Sequence, residues 1–406
     1  MSDHPHAHAV ELRREPKVWE APASLGRIGN LGLVVGVAGS ALLVLGFFVA
    51  QEQFFRSYLV GYTYWLGLAL GSLALAMVHH LTTGGWGFPA RRILEAASRT
   101  LPALVVLFLP LAFGIGSLYE WSHAEVVAES PVIAHKSGYL DATAWLLRAA
   151  VYFAVWLTLA FVLNRWSARQ DRDPSPALVK KMRVVAAPGL VLYVLTITFA
   201  AIDWIMSLDP EWYSTIYGVW WLGGHGVVTL AFLIVIASYL ARREPMAEVI
   251  RPVHFHDWGK LLLAFTLLWT YFSVSQLLII WSANIPEEVA WYQYRLEGGW
   301  QYVGLALAFL HFALPFLLLL SRDLKRDAKL LVPVAVLMMV MHWVDYFWNV
   351  APVFSPGHFS IHWLDLVAPL AIGGIWLWLF VRELGKRPLL PIGDPYLEEV
   401  MIDAAH

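Results

Sequence analysis

Ten long apolar blocks dominate the chain, at 27–50, 57–82, 98–119, 141–165, 184–207, 213–240, 257–283, 296–321, 329–350 and 364–384. A helix needs about 20 mostly apolar residues to cross the roughly 30 Å hydrocarbon core of a bilayer. Only helices and closed barrels satisfy their own backbone there. Blocks of this length predict an all-α polytopic membrane protein of ten transmembrane helices. The composition agrees, with 59% hydrophobic and 14% charged residues against about 25% charged in soluble domains. The first block follows a tail, residues 1–26, that carries Arg13, Arg14 and Lys17. It is longer than a signal-peptide core and reads as a retained helix.

The charges sit in loops and tails, and the net charge is −2. Nothing in that balance points to nucleic acid. The chain has no cysteine, so it offers no CxxCH haem-attachment site, no thiolate ligands for an iron–sulfur cluster and no disulfide. Metal-based electron transfer would therefore use other polypeptides or histidine alone. Of the 28 Lys and Arg residues, 24 fall in the two tails and the even-numbered loops. Arg56, Lys136 and Arg295 fall in the odd-numbered loops, and Arg148 lies inside the fourth span. The positive-inside rule then predicts cytoplasmic termini, including the tail 385–406. The low-charge loops are rich in Trp, Tyr and Pro, which puts most of the interfacial aromatic belt on the outer face.

Short repeats suggest how the spans group. "YWLG" at Tyr64–Gly67 recurs as "WWLG" at Trp220–Gly223, and "IDWIMSLDP" around Asp203 matches "VDYFWNVAP" around Asp345. Both pairs are offset by four spans. This predicts two parallel four-helix bundles, 57–207 and 213–350, flanked by helices 27–50 and 364–384.

An ionised Asp at the centre of a membrane helix costs about 2.5–3.5 kcal/mol on insertion scales, so acids kept there usually face the bundle interior and serve a function. Asp203, about 19 residues into the fifth span and so in the outer third of the bilayer, and its counterpart Asp345 are the two acids buried within spans. His342, Asp345 and Asn349 share one helical face. His225 and His311 fall near mid-membrane, and Ser273 and Gln276 share a face of the seventh span. A lone buried His, Gln or Ser is commonly an interhelical hydrogen-bond partner, yet the set spread over the fifth, sixth, eighth and ninth spans suits a polar path for protons.

Other residues offer less. His79 and His80 end the second span at the cytoplasmic rim, where they could feed or drain protons. Glu52, Glu120 and His123 lie at the outer rim and would suit a quinone headgroup or water. His254, His256 and Asp257, and likewise His358, His362 and Asp365, could bind a metal or cap helices. His4, His6 and His8 alternate in a polar tail. No span carries the paired histidines, 13 or 14 residues apart, that a four-helix b-type cytochrome uses.

The segments "GKLLLAFTLLWTYFSVSQLLIIWSANIPEEVAWY" (259–292), "AAIDWIMSLDPEWYSTIYG" (200–218) and "MHWVDYFWNVAP" (341–352) carry a likeness. Over about residues 25–385 the chain resembles the second polysulfide-reductase-type (NrfD-like) membrane subunits of bacterial alternative complex III. That resemblance implies a place in a respiratory or photosynthetic complex that oxidises a membrane quinol, such as menaquinol, and passes electrons to a c-type cytochrome or an oxidase. It implies iron–sulfur clusters and c-haems on partner subunits and no covalent cofactor here, with quinone and phospholipid as non-covalent candidates. The implied partners are a homologous NrfD-like membrane subunit, an iron–sulfur/molybdopterin-type periplasmic subunit, c-type cytochrome subunits, small membrane subunits and lipid, all at the bacterial cytoplasmic membrane. The role it implies for this subunit is a proton path, matched here to Asp203, His225, His342 and Asp345, with His311, Ser273 and Gln276 assisting. Two rival expectations are a secondary transporter, whose repeats are often inverted, and a structural anchor for peripheral subunits.

Overall fold

The computed structural model describes residues 15–397. Its ten long helices are α1 (Ala23–Val49), α2 (Gln51–Thr82), α3 (Arg91–Phe113), α4 (Ala142–Gln170), α5 (Pro176–Leu208), α6 (Tyr217–Leu240), α7 (Pro252–Ala283), α8 (Trp300–Leu320), α9 (Ala328–Phe354) and α10 (Trp363–Leu384). Each is long and apolar enough to span a bilayer, and the chain is a multi-pass α-helical membrane protein. Helix starts carry side-chain caps: Asp141 accepts from Ala144 N (2.9 Å), and Asp327 from Lys329 N (2.8 Å). The helix ends that share a face with both chain termini form what we call the terminal face. There the two ends of the described chain meet, where Leu389 N donates to Trp19 O (2.8 Å).

Several helices start earlier than the apolar blocks suggest. The third begins at Arg91 and not near 98, and the fifth at Pro176 and not near 184. In both, the first turns are charged, so hydropathy reads them as loop while the backbone is already helical. Between α1 and α2 there is no loop beyond Ala50. Glu52 and Arg56, expected in that loop, instead pair across one turn of α2 (2.8 Å).

α2 and α6 are the central pillars, with 89% and 72% of their most apolar windows buried, against 22% for α7 and α8. α2 packs on α3, α5 and α6, and α6 packs on α7, α9 and α2. α4 lies on α5 as α8 lies on α9, and α5 meets α6 as α9 meets α2. Neighbours thus repeat with a four-span offset, giving two four-helix bundles in parallel orientation that meet along α2 and α6.

α10 covers α2, and α1 lies outside α10. The buried residues of α1 are Leu25, Gly29, Gly32, Gly36, Gly39, Leu43 and Gly46, while Leu31, Val34, Val37 and Phe48 point outward. This inverts the soluble-helix pattern, because bilayer lipid is as apolar as leucine and helices associate by close approach of small residues. A Cβ on Gly36 would lie 2.7 Å from Ile375 N, and one on Gly374 would lie 2.5 Å from Gly32 O. The two backbones are in contact. Gly36→Leu is expected to lower thermal stability in detergent by about 1–3 kcal/mol, with Gly36→Ala intermediate. A loss below about 0.5 kcal/mol for Leu would mean that α1 and α10 do not pack backbone to backbone.

Candidate functional site

The two repeat-related acids have opposite surroundings. Asp203, on α5, is fully buried and takes a bidentate pair from Arg148 of α4, with Nε to Oδ2 at 2.8 Å and Nη2 to Oδ1 at 3.0 Å. The Tyr152 hydroxyl donates to the same Oδ2 (2.7 Å). Arg148 also donates to Tyr139 O (2.9 Å) and stacks on the Tyr139 ring. The carboxylate takes three donors, two of them from one guanidinium in a bidentate pair, which is among the strongest pairings open to it.

Asp345, on α9, meets no guanidinium. Trp269 Nε1 of α7 donates to its Oδ2 (3.0 Å), and Asn349 Nδ2 sits 3.3 Å from Oδ1. His342 Nδ1 stands 3.6 Å from Oδ2, just beyond hydrogen-bond length. From there aromatic and imidazole rings run inward. His342 stacks on His311 with ring centres 5.5 Å apart, and His311 lies edge-on to Trp269 at 4.2 Å. Tyr346 meets His342 at 5.0 Å. The His225 Nδ1 shares a hydrogen bond with the Tyr193 hydroxyl (2.9 Å). Gly67 admits the His225 ring: a Cβ there would lie 2.9 Å from both His225 Nε2 and Tyr346 OH. The rings of α5, α6 and α9 therefore converge on α2, and His311 of α8 joins them through His342.

Many polar atoms of this cluster are buried without a partner: His225 Nε2, both ring nitrogens of His311 and of His342, Tyr346 OH and Ser273 Oγ. Buried polar groups are almost always bonded, so such a concentration marks a place for water or a ligand. A cavity of about 10 Å3 lined by His342, Asp345, Tyr346 and Asn349 has room for one water. A larger apolar slot of about 210 Å3 opens between α7 and α8, lined by Trp269, Ser273, Leu307, Asp345 and Trp348. On the face opposite the termini, Arg295 closes the cluster. It donates to the carbonyls of Trp291 and Asn349 (2.8 Å each) and lies on the Trp291 ring at 3.5 Å.

His311 owes its place to a backbone irregularity. Residues Leu307–Ala313 of α8 form a π-helix, a feature frequent at functional sites. Pro315 has no N–H for the carbonyl four residues back, which is that of His311, and its ring would clash there. Widening the turn relieves the conflict and turns His311 into the bundle, where it is wholly buried.

At the terminal face, His79 and His80 line a cavity of about 400 Å3 with Arg91, His254, Asp257 and Asp394. Beneath it is a buried charged network. Arg91 donates to Glu95 (2.9 Å), Asp394 (2.8 Å), Ser167 (2.9 Å) and Gln170 (2.8 Å). Arg92 donates to Glu95 (2.6 Å) and to both carboxylate oxygens of Asp171. From His79 to Gly67, the level of His225, is about 18 Å along α2 at 1.5 Å per residue. That stretch is apolar apart from Ser72 and Thr229, which both donate to Leu68 O.

The structure thus joins His225, His311, His342, Asp345 and Ser273. It separates Asp203, which belongs to the first bundle. Gln276 lies one turn beyond Ser273, and its Oε1 accepts from Ser214. Glu52, Glu120 and His123 are exposed and line none of the cavities above. His362 and Asp365 form a helix cap, with His362 N donating to Asp365 Oδ2 (2.7 Å), and His254 Nδ1 accepts from Arg251 N (3.0 Å). His4, His6 and His8 lie outside the described residues. Sequence reasoning missed Arg148, Trp269, Tyr193, Tyr346 and the Arg91–Glu95 network. Arg148 had a signal, since a lone arginine within a span needs an acid partner.

Fold and site together define a polytopic membrane protein with a buried, incompletely bonded imidazole–carboxylate cluster in one of two related bundles. A scan of protein-family models and a search of curated proteins find no match to the chain.

Proposed function

We propose that the chain is a membrane subunit of a quinol-oxidising electron-transfer complex of the alternative complex III type, equivalent to its second NrfD-like subunit. In this reading it holds no redox metal and carries protons through the cluster around Asp345. Its termini face the cytoplasm of a bacterium, and iron–sulfur, haem and homologous membrane subunits are its partners. The observation that carries the reading is the asymmetry of the two acids. Asp203 is locked to Arg148, whereas Asp345 faces His342 at 3.6 Å, and behind it stands His311, the ring nitrogens of both being without a hydrogen bond.

A proton can pass between Asp345 and His342 after a small closing motion, and between His342 and the other rings through water. The apolar stretch between His225 and His79 then serves as the barrier. It keeps the cluster from leaking to the terminal face, where each charge crossing 100 mV represents about 2.3 kcal/mol. Quinol oxidation elsewhere in the complex would shift the protonation of the cluster and release protons toward the face opposite the termini.

A second reading uses the slot between α7 and α8. A quinone ring needs hydrogen-bond donors for its carbonyls, and Ser273 Oγ and Trp348 Nε1 are buried donors without partners there. One experiment separates the two. The assembled complex in liposomes is compared with Asp345→Asn for electron transfer and for protons released per electron. We expect electron transfer within about twofold of the parent and a clearly lower proton yield. Loss of both would favour a quinone at the slot, and no change in either would leave a scaffold.

A further inference from the structure

Outside the cluster, a cavity of about 670 Å3 lies where α3, α4 and α10 meet at the terminal face. Its upper part is lined by Arg99, Arg165, Arg169, Arg172 and Arg387, and by one carboxylate, Glu383. Arg99 spends its donors on Glu383 and Asn164 (3.0 Å each) and on Glu383 O (2.6 Å). That leaves four guanidinium groups with little counter-charge. Arg387 reaches Glu95 and Asn164 only at 3.5 Å, and burial, with the Arg99 and Arg92 charges nearby, pushes it down to about 10. Arg169 stands 3.8 Å from Asp173 with both side chains more than half exposed. Arg165 and Arg172 have no ion-pair partner among the described residues.

Below the arginines the lining changes character. Pro102, Leu157 and Phe161 form an apolar wall, and Phe161 is 63% exposed. From Arg172 to Leu157 is about 22 Å along α4 at 1.5 Å per residue, roughly the depth of one leaflet with its headgroups. We propose that this groove binds one anionic phospholipid, its phosphate held by Arg165, Arg169, Arg172 and Arg387 and an acyl chain laid along Leu157 and Phe161. Arginine suits the role because its planar fork pairs with phosphate oxygens two at a time. Basic pockets on the cytoplasmic side of membrane proteins commonly take such headgroups. The inference is independent of the proton path.

The test uses the purified full chain, delipidated in detergent and titrated with phosphatidylglycerol or phosphatidylcholine, with bound lipid counted by native mass spectrometry. The parent is expected to retain one phosphatidylglycerol against an excess of phosphatidylcholine. Replacing the exposed Arg165, Arg169 and Arg172 by Ala together should weaken that binding about a hundredfold, and replacing the exposed Lys180 and Lys181 by Ala should not. Leu157→Trp fills the acyl path, leaves the charges in place and should also displace the lipid. Equal retention of the two lipids, or unchanged binding in the triple variant, would overturn the proposal. So would displacement of phosphatidylglycerol by equimolar inorganic phosphate, which would mark a free-anion site. Unchanged binding in Leu157→Trp would show that no acyl chain lies along this wall and would likewise overturn the proposal.

Discussion

Asp203→Ala is expected to destabilise the protein by about 3 kcal/mol, while Asp345→Asn changes its stability by less than about 1 kcal/mol. The acids occupy related places in the two bundles, so local hydrophobicity does not separate them; their partners do. Removing Asp203 leaves the Arg148 guanidinium without its carboxylate, and breaking one side of a buried pair costs about 3–5 kcal/mol. The low end applies because the Arg148 side chain keeps 21% of its exposure and can recruit water. Asp345 bonds only the neutral donors Trp269 and Asn349; the single amide oxygen of Asn can keep the Trp269 bond, and the contact given up is the long one to Asn349, whose Nδ2 still donates to the backbone carbonyl of residue 345. Thermal unfolding in detergent checks both values. The double variant Asp203→Ala, Arg148→Leu should recover most of the loss, because nothing charged is then stranded. Equal losses in the two single variants would remove the basis for assigning the acids different roles.

Glu95→Ala should cost about 3–5 kcal/mol and loosen the C-terminal segment. Glu95 is the shared acceptor of Arg91 and Arg92, both at most 2% exposed, and it also takes the Ser167 hydroxyl. Without it, Asp394 and Asp171 are left as the carboxylates bonded to two buried guanidinium groups. Asp394 and Arg387 tie the segment after α10 to α3, the first through Arg91 and the second through Glu95 itself, so limited proteolysis after residue 384 should become faster in the variant. A stable Glu95→Ala protein with unchanged cleavage would show that the network is not a structural knot.

Ten spans and their four-span repeat were legible because apolar length is a one-dimensional signal. The start of α3 was not, since Arg91, Arg92 and Glu95 read as loop when counted singly and become helix only once their charges cancel in space. The histidines and Asp345 could be named from the sequence because polar residues are rare in apolar blocks. Asp203 could be named too, but not its role, which depends on Arg148 in another helix. The inward turn of His311 depends on Pro315 through a backbone defect that hydropathy cannot register. Glu52, Glu120 and His123 were drawn in by their position near the rim, and exposure sets them apart from the cluster.

The pairing of α1 with α10 also bears on how the chain is made. α1 finds most of its seat against α10, nine spans further on, whose Gly374 must meet Gly32 and Gly36. At 5–20 residues per second of synthesis, α1 waits in the bilayer for roughly 20–70 s with its glycine groove uncovered. A chain stopped before residue 363 never supplies its partner. The seam can therefore close only once α10 has been made, and the segment after it then reaches back so that Leu389 meets Trp19.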